Sequence, residues 1–127
     1  MTTALNTETT NIGYICGRYF AFICRVQMAA MKKNTIESKY YKMASTSPLK
    51  AFSLLNPKVE SAYIDRSSAP NYWRKKRDEI LAKMPPYIPK TLTMEEQAAF
   101  MLGFSHQNAD FFNKNEVTDN EDEKEGD

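Results

Sequence analysis

The sequence predicts an all-α protein: a helical bundle of about five helices, followed by a disordered acidic C-terminal tail. Three observations predict it. Apolar residues recur at three- and four-residue steps in several segments, and no segment of useful length alternates with the period of a strand. Helix start signals stand in front of those segments. The 4 glycines of the 127 residues are not placed as hairpin turns require. A chain of this length fits one domain. Its expected organisation is a flexible lead-in over 1–10, a bundle over 11–113 and the tail over 114–127.

The first helix is expected from an Asn11 cap to about Lys33, with Ile12, Ile15, Tyr19, Phe22, Ile23, Val26 and Ala30 as its apolar stripe. Gly13 and Gly17 lie four apart on it. Glycine weakens a helix, so a pair at this spacing implies that another backbone packs closely there. Asn34 or Thr35 can cap a second helix over Ile36 to about Ala44. Ser47 and Pro48 read as cap and first residue of a third, whose stripe is Leu49, Phe52, Leu55 and Val59. Pro57 should kink or split it. A fourth helix starts at Pro70 and ends near Met84, and Pro85, Pro86 and Pro89 force an extended connector after it.

The closing helix carries the clearest start signal. Thr93 and Glu96 are spaced as a capping box, with Leu92 just outside. Ala98, Met101 and Leu102 follow in one row and Phe100, Phe104 and Phe111 in another, an arc wide enough for packing on more than one side. Gln97, His106 and Gln107 lie in or beside that arc, and each costs free energy there unless it is hydrogen-bonded.

Net charge is +1, which hides an asymmetry. Residues 115–127 hold seven acids and one lysine, for −6, and residues 1–114 carry +7. A basic body suits a polyanion. The bases expected at phosphates are Lys32, Lys33, Lys39, Lys42, Lys50, Arg74, Lys75, Lys76 and Arg77. Tyr40, Tyr41, Tyr72 and Trp73 are interleaved with them, and such rings either stack on unpaired bases or belong to the core. Phosphate-binding glycine motifs are absent from the sequence. One His and two Cys on one helix cannot make a zinc tetrad. Cys16 and Cys24, eight residues and roughly 12 Å apart on that helix, are too distant to form a disulfide. No catalytic residue, metal or cofactor is expected, nor any membrane segment, and the protein is expected in the cytoplasm.

Three stretches, in order, resemble the C-terminal part of the type I-C CRISPR large subunit. They are Asn11–Ala30, through Gly17, Arg18, Phe20, Ala21 and Gln27; Ala44–Pro48; and Leu92–Phe112, through Leu92, Glu95 or Glu96, Gln97, Phe100, Gly103, Phe104, His106 and Gln107. In that family the region is also made separately, from an internal start, as the small subunit of the interference complex Cascade. A chain that begins at Met1 with this region resembles that product. The resemblance implies a non-catalytic bundle that packs on the large subunit, on backbone subunits and on further copies of itself. It also implies contact with the R-loop formed by crRNA and target DNA, on the target or the non-target strand, with sequence read by base pairing. Two departures stand out: Thr35–Lys39 is less basic than the family's Arg-rich segment, and Pro57 interrupts a helix. A scaffold that never touches nucleic acid is the alternative, and a small enzyme using Cys16, Cys24 or His106 is a third possibility.

Overall fold

A computed structural model describes the backbone of residues 4–125 and the side chains of residues 4–113. The tail expected over 114–127 therefore lies outside the described side chains. The elements are α1 (Ile12–Met31), α2 (Ile36–Thr46), α3 (Pro48–Lys58), a π-helical segment (Val59–Ile64), α4 (Pro70–Leu81) and α5 (Met94–Glu125), with no strand among the described residues. Ahead of them, residues 4–10 fold back on α1: Asn6 Oδ1 accepts the N–H groups of Glu8 and Thr9, and the Asn6 N–H donates to the Tyr14 hydroxyl.

The starts are local and follow the expected chemistry. Asn11 Oδ1 accepts the Tyr14 N–H at 3.2 Å and opens α1. At α5, the Glu96 N–H donates to Thr93 Oγ1 at 3.1 Å and the Thr93 N–H donates to Glu96 Oε1 at 2.8 Å, closing the capping box. The start of α2 is different. Thr35 makes no side-chain cap. Asn34 Oδ1 accepts the Glu37 N–H at 3.4 Å, and Gln27 reaches over from α1 so that its Oε1 accepts the N–H groups of both Thr35 and Ile36. Pro57 lacks the N–H that would bond four residues back, and the ladder widens to π spacing from Val59 onward. The expected split is thus a change of helical register within a continuous path.

Helix α1 is the buried axis of the bundle: every residue from Gly13 to Cys24 is buried. Helix α5 runs parallel to it. A Cβ on Gly13 would sit 2.0 Å from the Glu96 carbonyl oxygen, one on Gly17 2.1 Å from that of Phe100, and one on Gly103 2.1 Å from that of Tyr14. The two backbones touch along a seam that only glycine allows. Phe100 and Phe104 pack with Phe20 and Tyr41 at ring separations of 5.2–6.0 Å, and Phe111 packs on Trp73 at 5.7 Å. The connector after α4 is pinned back, because Pro89 and Thr46 carbonyls accept the N–H groups of Leu49 and Leu92.

Leu49, expected in the stripe of α3, is exposed, and an expected row of α5 fails as well. The row Ala98, Met101 and Leu102 is not a second packed side of α5. Met101 is 54% and Leu102 49% exposed, in line with Met94 at 85% and Phe112 at 56%. Periodicity marks apolar residues, not which of them the same chain covers.

The glycine seam gives a direct test. Gly17→Ala should destabilise the fold by about 3 kcal/mol or more, because the clash is with backbone and cannot relax by a rotamer change. Thr93→Ala should cost about 1 kcal/mol, the usual worth of a cap. Urea unfolding followed by circular dichroism measures both.

Candidate nucleic-acid interface

The bases expected at phosphates divide by what holds them. On α4, Arg74 Nε donates to Glu60 Oε2 at 2.8 Å, and its Nη2 pairs with Asp65. Arg77 Nη1 reaches Glu60 Oε1 at 2.6 Å, and its Nε lies 3.3 Å from Asp78. Lys76 lies 3.3 Å from Glu79 and over the Tyr72 ring. Glu60 and Asp65 come from the π-helical segment and its end, so this network fastens α4 to the segment that follows α3. Of the four consecutive bases on α4, Lys75 alone is exposed and outside it. Lys50 is exposed at the start of α3.

Lys32, Lys33, Lys39 and Lys42 are all exposed and make no ion pair among the described residues. They sit where α1 ends and α2 begins. Lys32 turns the chain with a left-handed backbone, φ 60°, which closes α1 and starts the link to Thr35. Lys39 and Lys42 lie one turn apart on the outward face of α2, and Lys39 lies 5.6 Å over the Tyr40 ring. Two grooves open beside them and share Asn34 and Glu37. One, of about 450 Å³, runs to the end of the described side chains of α5 and includes Arg25, Met28 and Phe112. The other, of about 630 Å³, is bordered by Ser38, Tyr41 and Lys42. Glu37 is the one carboxylate on either lining among the described residues, and its Oε1 accepts from Asn34 Nδ2 at 3.0 Å.

The aromatic candidates separate as well. Trp73 is buried between Phe22, Phe111 and Tyr72, and Tyr41 packs on Phe20, Phe100 and Phe104, so both are core. Sequence reasoning missed Arg25 and Phe112. The signal available was their place at the two helix ends that flank the α1–α2 turn, which only the parallel pairing of α1 with α5 brings together.

Two residues of the α5 polar layer, His106 and Gln107, have partners on α1. Arg18, 4% exposed, donates from Nε to Gln107 Oε1 at 2.8 Å, and Gln107 is 2% exposed. Burial lowers the Arg18 pKa, opposed by the nearby charges of Asp110 and Glu79. His106 Nδ1 and the Tyr14 hydroxyl are 2.8 Å apart. Gln97 Nε2 donates to the Leu92 carbonyl, just outside the capping box. Burial pushes the Cys16 thiol up to about 12 and raises the Cys24 thiol further, so both stay protonated near neutrality. Among the described residues no group of three or more His, Cys, Asp or Glu is placed to hold a metal ion. No described helix is long and apolar enough to cross a membrane.

The fold is a helical bundle that presents exposed lysines without ion pairs among the described residues and two grooves at one end. The model of the CRISPR-associated protein family Cas_Csd1 matches residues 1–112, and the chain belongs to that family. Membership supports a subunit of a CRISPR Cascade complex and is consistent with the type I-C resemblance. No curated protein matches the chain.

The α4 network makes a pH prediction. Hydrogen bonds from Arg77 and Arg74 hold the Glu60 carboxyl below its usual 4.5. A depressed folded value means that the contribution is complete above the unfolded value and is lost as pH falls through the folded one. The residues are about half exposed, so each pair is worth only about 0.2–1 kcal/mol. Glu60→Gln should therefore lower Tm by a few degrees at neutral pH, and the gap to wild type should close as pH falls through the depressed folded value. Thermal melts across that range measure it.

Proposed function

We propose that the chain is the non-catalytic small subunit of a type I-C crRNA-guided interference complex, and that it steadies the R-loop through DNA backbone contacts without reading sequence. The observation that carries this reading is the separation of the bases. Arg74 and Arg77 are held by acids of the same fold, whereas Lys32, Lys33, Lys39 and Lys42 stand exposed and unpaired around one turn. Unpaired surface lysines favour phosphate, since counterions leave both partners on contact. Lys50 and Lys75 extend the same role elsewhere on the surface. In this reading the complex's large subunit, its backbone subunits and further copies of this chain are the protein partners. The buried, protonated thiols and the His106–Tyr14 pair support a role in packing for these groups rather than in catalysis.

A scaffold without nucleic-acid contact is the second reading, favoured by the exposed apolar row Met94, Met101, Leu102 and Phe112. A gel-mobility assay with single-stranded DNA across a salt series separates the two: the first reading requires salt-sensitive binding, the second none. A complex assembled without this chain should bind target DNA less tightly. R-loops of full length and normal affinity in its absence would reject the first reading.

The lysine assignment has its own outcome. Replacing Lys39 and Lys42 by Gln should weaken binding about equally for unrelated sequences. It should also lower the slope of log affinity against log salt by about 0.7 for each single-strand phosphate that the variant no longer neutralises. Replacing Arg74 by Gln should change stability more than binding.

A further inference from the structure

The groove between the ends of α1 and α5 holds groups that the packing of the bundle leaves unused. Arg25 Nε is buried and has no hydrogen-bond partner among the described residues. Asn108 and Asn113, with their side-chain amides, are on the same lining. The Phe112 ring borders the groove and is 56% exposed. Lys32 and Lys33 directly precede Asn34, which lines it from the α1–α2 side.

These groups ask for a particular ligand. A flat guanidinium with an unpartnered Nε donor suits an anionic oxygen or the acceptor edge of a planar ring. Amide side chains offer both a donor and an acceptor, which matches the mixed edge of a nucleobase. An exposed phenyl ring offers a stacking face that any base can use. A volume of about 450 Å³ is of the size that takes a small planar ligand. The flanking lysines favour a phosphate chain on either side of such a ligand over a neutral peptide. Bases inside a duplex are stacked and cannot reach the ring, whereas those of a single strand can.

We infer that this groove captures one unpaired nucleotide of a single strand, with its base on Phe112, the base edge at Asn108 and Asn113, and the phosphate chain led in by Arg25, Lys32 and Lys33. The inference rests on the nucleic-acid reading above and sharpens it: the contact is more than electrostatic, and it selects unpaired over paired strands. Glu37, tied to Asn34, is the carboxylate at the shared rim of the two grooves, and it keeps phosphate to the lysine side.

The test uses the full chain with three probes: a labelled oligothymidylate, a duplex of equal length, and a single strand carrying 2-aminopurine. Phe112→Ala and Arg25→Gln should each weaken single-strand binding about tenfold, leave duplex binding unchanged, and abolish the quenching of 2-aminopurine. Phe112→Tyr should restore both affinity and quenching. Circular dichroism checks that the variants fold, which the exposure of Phe112 favours. If Phe112→Ala and Arg25→Gln bind the single strand as wild type does, while Lys39→Gln with Lys42→Gln still weakens it, the groove is not a base site and the nucleic-acid reading stands. If the wild-type chain binds none of the probes at any salt, both are wrong.

Discussion

The backbone contact between α1 and α5 is the constraint on which the rest of the structure depends. Three glycines let two parallel helices approach until carbonyl oxygens occupy the space of missing Cβ atoms. A close approach of this kind has little freedom to slide, because each glycine faces one particular turn of the other helix. The register it sets has consequences further along. Tyr14 meets His106 and Arg18 meets Gln107, each with hydrogen-bond geometry. A shift by one residue would leave a buried guanidinium and a buried amide facing hydrocarbon, at a cost far above that of an ordinary surface change. Glycine seam and polar pairs therefore specify the same alignment by independent means.

That alignment also decides what lies at the far end of the bundle. Because α1 and α5 run parallel, the close of α1 and the last described side chains of α5 arrive together, and the turn into α2 falls beside them. Gln27 completes the arrangement by capping α2 from α1, so the direction in which Lys39 and Lys42 face is tied to the axis helix. The acids of the body are arranged unevenly. Glu60, Asp65, Asp78 and Glu79 all serve the α4 side, where they pair with Arg74, Lys76 and Arg77. Among the described residues, Glu37 is the acid found on the linings of the grooves at the α1–α2 turn. Ion pairing thus holds most of the bases of α4, the denser run in the sequence, while those of the α1–α2 turn, like Lys50 and Lys75, stay exposed.

Local chemistry was legible in the sequence, and pairings across the chain were not. Asn11, the Thr93–Glu96 box, the Pro48 start and the Gly13–Gly17 pair each act through neighbours or through a missing side chain, so their signals can be read without the fold. Gly103 acts in the same way, but a lone glycine on an amphipathic helix carries no spacing signal. The partners of His106 and Gln107 lie about ninety residues away (92 for Tyr14 and His106), beyond any periodicity argument. The sequence showed four bases in a row on α4 and correctly implied that they could not share one face. It did not show that Glu60 and Asp65 would fold against two of them. Pro57 announced an interruption, but whether the chain breaks or widens to π spacing depends on how Val59, Tyr63 and Ile64 bury themselves.

The exposed row of α5 and the basic turn need not belong to rival functions. Met94, Met101 and Leu102 run along the outer face of α5, and the row ends at Phe112, which borders the groove. A protein surface laid on the row from Met94 to Leu102 would bury side chains that water now solvates poorly, and would leave the lysines of the α1–α2 turn untouched. Such a covering would also fix the bundle in place, so that a single strand meeting the turn loses less freedom on binding than it would against a freely moving domain. Under the proposed reading, apolar docking and phosphate contact would reinforce each other, and the weak, salt-sensitive grip of a few lysines would become useful because the bundle that carries them would be held beside the strand.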